Sequence, residues 1–97
     1  MRLKINEIEA IKKVANVVFR HPEIYLFGSR VNDDLKGGDI DLYIKINYKP
    51  DLTDDIKFLV KLKKIIGDRK IDLIIDYPKR KKELIDEIVK KEGIRIE

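Results

Sequence analysis

The sequence predicts an α/β (α+β) domain: a small mixed β-sheet packed with helices. Three observations carry this expectation. Apolar residues recur at helical spacing in three stretches, and between them lie short runs that alternate or are continuously apolar. The two kinds of stretch take turns along the chain, the order that lays helices onto a sheet. The connection between the first two strand-like runs, residues 28–38, is too short for a crossover helix, so those strands are expected to be antiparallel.

Residues 5–19 place Ile8, Ile11, Val14, Ala15 and Val18 on one helical face, with Asn6 as a cap, and His21-Pro22 as the stop. "EIYLF" (23–27) is a β-rich run ended by Gly28. "DIDLYIKI" (39–46) alternates strictly, the pattern of a half-buried strand. Asp51 or Thr53 can cap a helix carrying Ile56, Leu59, Val60, Lys63 and Ile66, which Gly67 ends. "KIDLIIDY" (70–77) is the third strand. Pro78 is expected to open a last helix with Leu84, Ile85, Ile88 and Val89 on one face and Gly93 at its end, and "IRIE" to add a short edge strand.

The chain has 97 residues, room for one domain spanning 1–97. Charged residues make up 41%, far above the usual quarter, which describes a surface laced with ion pairs. No cysteine is present, so disulfides and thiolate metal sites are excluded; this suits a cytoplasmic protein. Glu7, Glu9, Lys12 and Lys13 interrupt the amino-terminal apolar residues, leaving neither a signal-peptide core nor a membrane span. The net charge of +4 arises from 22 basic and 18 acidic residues interspersed. It permits an anionic partner without demanding one, and no nucleic-acid-reading motif accompanies it.

The chemistry-bearing residues gather around "YLFGSRVNDDLKGGDIDLYI" (25–44). Period-two geometry puts Asp39 and Asp41 on one face of the second strand and turns Ile40, Leu42, Ile44 and Ile46 to the helices. In the third strand Ile71, Leu73 and Ile75 form the inward set, so Asp72 and Asp76 share the Asp39–Asp41 face. If the strands are neighbours, Asp39, Asp41 and Asp72 crowd one small area and repel one another. A hard cation resolves this: Mg²⁺ takes oxygen ligands, and two such ions can clamp the attacking and leaving oxygens of a phosphoryl displacement. The Gly28-Ser29 turn supplies backbone N–H groups and a hydroxyl for an anion, Gly28 permits close approach, and Arg30 adds a charged donor. An aspartate pair on a strand's solvent face is ordinary, and so is a Gly-Ser turn. Their conjunction with a third aspartate in a later strand is the signal.

"FGSR…GGDIDLYI" with "IDLII" further on resembles the DNA-polymerase-β-type nucleotidyltransferase superfamily, and the resemblance covers nearly the whole chain. The short length is similar to the minimal nucleotidyltransferase (MNT) antitoxins, partners of HEPN-domain toxins. The resemblance implies that Gly28, Ser29 and Arg30 bind the nucleotide triphosphate, and that Asp39 and Asp41 bind Mg²⁺. It makes Asp72 the third carboxylate, which assists deprotonation of the attacking hydroxyl. It further implies ATP as substrate, two Mg²⁺ ions, a hetero-oligomer with a HEPN toxin, and transfer of AMP to a toxin tyrosine hydroxyl. Members often carry a second Arg in the turn and a Ser before the Asp pair; here Val31, Asn32 and Asp33 follow Arg30, and Gly38 precedes Asp39. The alternative is an antitoxin that acts by direct binding alone.

Of the remaining residues, Asp76 is expected at the surface or behind the carboxylate trio. "KRKK" (79–82) reads as a solvated basic run, with contact to phosphates or an acidic partner as the alternative, and Tyr25, Tyr43, Tyr48 and Tyr77 as core or surface filling. Leu3, Phe19 and Phe27 read as core.

Overall fold

The computed structural model describes residues 5–27 and 40–97. In chain order the elements are α1 (Ile5–Val18), β1 (Glu23–Leu26), β2 (Ile40–Lys45), α2 (Asp54–Ile66), β3 (Ile71–Asp76), α3 (Leu84–Glu92) and β4 (Ile94–Arg95). The sheet has the order β3-β2-β1-β4. β1 is antiparallel to β2 and to β4, while β3 runs parallel to β2, with α2 as the crossover. The expected mixed sheet is therefore found, including the short edge strand at the end. No helix among the described residues is long and apolar enough to cross a membrane.

The alternation in β2 decides how the layers stack. Ile40, Leu42 and Ile44 point to one side, where they meet Ile24 and Leu26 of β1 and the buried faces of α1 and α2. Phe19 and Phe58 close this core with ring centroids 6.1 Å apart. Complete burial of such side chains contributes about 1.5–3 kcal/mol each, so this cluster dominates stability. The opposite face was expected to be open. Instead α3 covers part of it, seating Val89 and Ile85 against Phe27, Tyr43, Tyr25 and Ile74.

Two helices differ from expectation in ways that bear on the surface. The buried side of α2 is Phe58 and Leu62, with Leu59 and Ile66 beside them; Ile56 and Val60 are 58% and 49% exposed. Phe58 pulls the helix round because its larger ring gains more from burial than either aliphatic side chain. α3 begins at Leu84, well past Pro78, and the Arg80 amide closes a turn onto the Tyr77 carbonyl at 3.2 Å. The basic run opposes a helix dipole, whereas Glu83 and Asp86 form a reciprocal capping box that fixes the start behind it. Asn6, expected as a cap, lies inside α1. Gly67 does end α2, at φ 94°, and its amide bonds to the Lys63 carbonyl. Gly93 ends α3 for a different reason: a Cβ there would sit 2.5 Å from the Val89 carbonyl oxygen.

Candidate active site

Asp41 and Asp72 are register partners on the parallel strands β2 and β3. Partners in register share a face, so the two carboxylates lie side by side, on strands about 4.8 Å apart. Backbone bonds fix this end of the sheet: the Ile40 amide donates to the Lys70 carbonyl at 3.0 Å, and the Phe27 amide to the Asp41 carbonyl at 3.2 Å. Asp72 is exposed and Asp41 partly so; α3 packs against Phe27, Tyr25, Tyr43 and Ile74 and leaves Asp72 open. Of the predicted site residues the structure thus brings together Asp41 and Asp72, while Gly28, Ser29, Arg30 and Asp39 lie outside the described residues, as does Leu3.

Two aspartates abreast destabilise a sheet unless something offsets their repulsion. Their donor set is all oxygen, negative and open to water, which fits a hard divalent cation. Among the described residues no three acidic or imidazole groups gather into a metal site; Asp41 and Asp72 are a pair.

Farther along the same face stands a polar network that the sequence reading missed. Asp76 is 3% exposed rather than at the surface. It accepts from Arg80 at 3.1 Å and from Lys82, so the "KRKK" run is engaged rather than merely solvated. Arg80 also donates to Asp86 at 2.9 Å, and the Tyr43 hydroxyl donates to the same Asp86 oxygen at 2.5 Å. The second Asp86 oxygen accepts from the Glu83 amide. Burial would raise the Asp86 carboxyl, but Tyr43, the Glu83 amide and Arg80 draw it down to about 2. Asp76 is likewise held below its ordinary value, burial being outweighed first by its bond from Lys82. The Tyr43 hydroxyl is pushed far up, by burial first and then by Asp86 and Asp76. Through its bond to Asp86, Tyr43 anchors α3 to the sheet. The spacing of Asp76 and Arg80, four apart across the Pro78 turn, was the available signal.

Between β2 and α3 lies a cleft of about 370 Å³, floored by Tyr25, Tyr43 and Val89 and rimmed by Lys45, Lys82 and Lys90.

The profile of the polymerase beta nucleotidyltransferase family matches residues 7–96. No curated protein sequence matches this chain. Among solved structures, the fold is similar to a chain of a toxin–antitoxin complex with AMP-PNP, at 20% identity over 96% of this chain and 73% of that one, with a TM-score of 0.72. A chain of the toxin–antitoxin complex MntA-HepT is similar at 17% identity, 94% and 69% coverage, and a TM-score of 0.66. So is one from a complex of tri-AMPylated Shewanella oneidensis HEPN toxin with MNT antitoxin, at 18% identity, 94% and 69% coverage, and a TM-score of 0.67. At these identities the likeness is one of fold.

Proposed function

The chain belongs to the polymerase beta nucleotidyltransferase family, and from that premise we propose that it is a Mg²⁺-dependent protein adenylyltransferase. In this reading it is the MNT antitoxin of a HEPN toxin, moving AMP from ATP to a tyrosine hydroxyl of that partner. The observation that carries the chemistry is the side-by-side placement of Asp41 and Asp72 on the uncovered part of the sheet. The partner reading draws support from the similar structures, which come from toxin–antitoxin complexes, one with AMP-PNP and one with a tri-AMPylated toxin. We place the reaction in the cytoplasm, where ATP is supplied.

Asp41 and Asp72, with Asp39, would hold the divalent ions, and Gly28, Ser29 and Arg30 the triphosphate. The ions, when bound, neutralise phosphate charge that the carboxylates alone would repel. Asp72 stands at the solvent-exposed side of the pair, where it takes the proton of the incoming hydroxyl. The new O–P bond forms at the α-phosphorus as its bond to the bridging oxygen breaks, and pyrophosphate leaves. β2 and β3 hold both carboxylates on rigid backbone, so little reorganisation is needed at the moment of transfer.

A second reading, neutralisation of the toxin by contact alone, is favoured by the apolar stripe Leu52, Ile56 and Val60, which is exposed on and beside α2. Co-expression with the neighbouring reading frame separates the two. With the native chain the partner should gain adenylate by intact mass, and with Asp41→Asn/Asp72→Asn it should gain none. If the double variant still protects cells and no adenylate is ever found, the contact reading replaces the enzymatic one.

A further inference from the structure

We propose that the cleft between β2 and α3 is the acceptor subsite, and that it takes an acidic, tyrosine-bearing segment of the protein being modified. This rests on the adenylyltransferase reading above and adds to it the chemistry of the acceptor.

Position is the first support. Asp41, Tyr43 and Lys45 occupy alternate positions of β2 and so share a face. The cleft begins at Tyr43, about 7 Å along the strand from Asp41. Both described ends of the glycine-serine segment, Phe27 and Ile40, lie beside Asp41 at the other end of the strand. Asp41 and Asp72 therefore stand between that end of the strands and the cleft. In-line displacement sets the attacking oxygen opposite the leaving one. A hydroxyl seated in the cleft reaches the pair along β2, from the side of Tyr43.

The lining is the second. Tyr25 and Tyr43 meet edge-on, with centroids 6.1 Å apart and planes at 72°, and with Val89 they give an apolar floor suited to an aromatic ring. Asp76 and Asp86 spend their charge on Arg80 and Lys82. Lys45 has Glu23 and Asp76 as register neighbours, but Glu23 accepts from the Tyr25 hydroxyl and faces Arg95, and Asp76 is engaged as described. Among the described residues, Lys45 and Lys90 have no ion-pair partner, and the one lining acid in the same condition is Glu87. The cleft is lined by three lysines and three acids; with Arg80 behind them offsetting one acid, an excess of one positive charge is left at the rim. Acidic residues flanking the acceptor tyrosine answer that rim. Tyr43 itself is no acceptor, since its hydroxyl is buried and donated to Asp86.

Short synthetic peptides with one tyrosine, flanked by glutamate, glutamine or lysine, test this against the native chain and Lys45→Glu/Lys90→Glu. Both lysines are exposed, and the Lys45→Gln/Lys90→Gln chain controls for charge reversal. Peptide binding is read by fluorescence anisotropy, and adenylate transfer by mass spectrometry with separate KM values for peptide and ATP. The glutamate peptide should bind the native chain best. The charge-reversed chain should raise its KM about tenfold, leave the ATP KM unchanged, and prefer the lysine peptide. A glutamate peptide that does not bind the native chain overturns the inference, as does an unchanged peptide KM. A shift confined to the ATP KM overturns it too and hands the cleft to the nucleotide. Charge-dependent binding without transfer to any peptide would sink the adenylyltransferase reading while leaving the cleft an acidic-peptide site. Transfer indifferent to both lysines does the reverse.

Discussion

The Tyr43 hydroxyl donates to Asp86 at 2.5 Å, tying the middle of β2 to the first turn of α3. Asp86 is at the same time bound to Arg80, and Arg80 to Asp76. The helix over the carboxylate face is thus held by a buried, charge-balanced network as well as by Val89 and Ile85. Tyr43→Phe removes one bond and leaves Asp86 partnered, so it should cost about 1 kcal/mol in urea unfolding. Arg80→Met removes the guanidinium that joins Asp76 to Asp86, leaving Asp76 with Lys82 and Asp86 with Tyr43 and the Glu83 amide, and should cost about 1–3 kcal/mol. Combined with Asp86→Asn, the loss should fall short of the sum, because the two changes share a partner.

Acid should loosen the same network. The Asp86 carboxyl lies at about 2 in the fold against an ordinary 3.8, and Asp76 shifts in the same direction. A carboxyl lowered by folding stabilises above its unfolded value and loses that contribution as pH falls through the folded one. Stability should therefore decline between about pH 4 and pH 2. Denaturant midpoints across that range should show a shallower slope for Arg80→Met.

For the open end of the face, activity and stability are expected to part. Asp72→Asn removes the proposed proton acceptor and should slow adenylate transfer by about 10²–10⁴-fold. It also relieves the repulsion with Asp41, so the unfolding free energy should hold or rise by about a few tenths of a kcal/mol. A fall of several kcal/mol would instead mark Asp72 as structural.

The surface of α2 offers a contrast between neighbours. Phe58 is fully buried, and Phe58→Ala should cost about 3–5 kcal/mol. Ile56→Lys, two residues away on the exposed side, should stay within about 0.5 kcal/mol in thermal or urea unfolding.

Much of the fold was legible because β2 alternates without a break, fixing which face meets α1 and α2 and which carries Asp41. The same period in β3 put Asp72 on the Asp41 face, while the parallel register that sets the two abreast is the structure's own contribution. What was hidden depends on side chains finding partners across layers. Nothing local says that Val89 and Ile85 would choose Tyr43 and Ile74. Nor does a basic run announce that Arg80 will bury itself between two aspartates, so Pro78 looked like a helix start when the Glu83–Asp86 box was the real one. On α2, Ile56 and Val60 matched the helical period as well as Phe58 and Leu62 did; ring size chose between them. Gly28, Ser29, Arg30 and Asp39 lie outside the described residues, and their roles rest on the motif alone.

Among the described residues β3 is the outermost strand, with one row of backbone groups turned outward, and its sequence is Ile-Asp-Leu-Ile-Ile-Asp. Such a run without charge is a template for fibre-like self-association, and natural edges guard against this with acidic or basic gatekeepers. Asp76 is occupied internally, so Asp72 is the strand's outward guard as well as the proposed proton acceptor. Inactive variants at that position ought to be checked for monodispersity at each concentration used, since a chain lost to precipitate and a chain lacking the proposed base give the same silent assay.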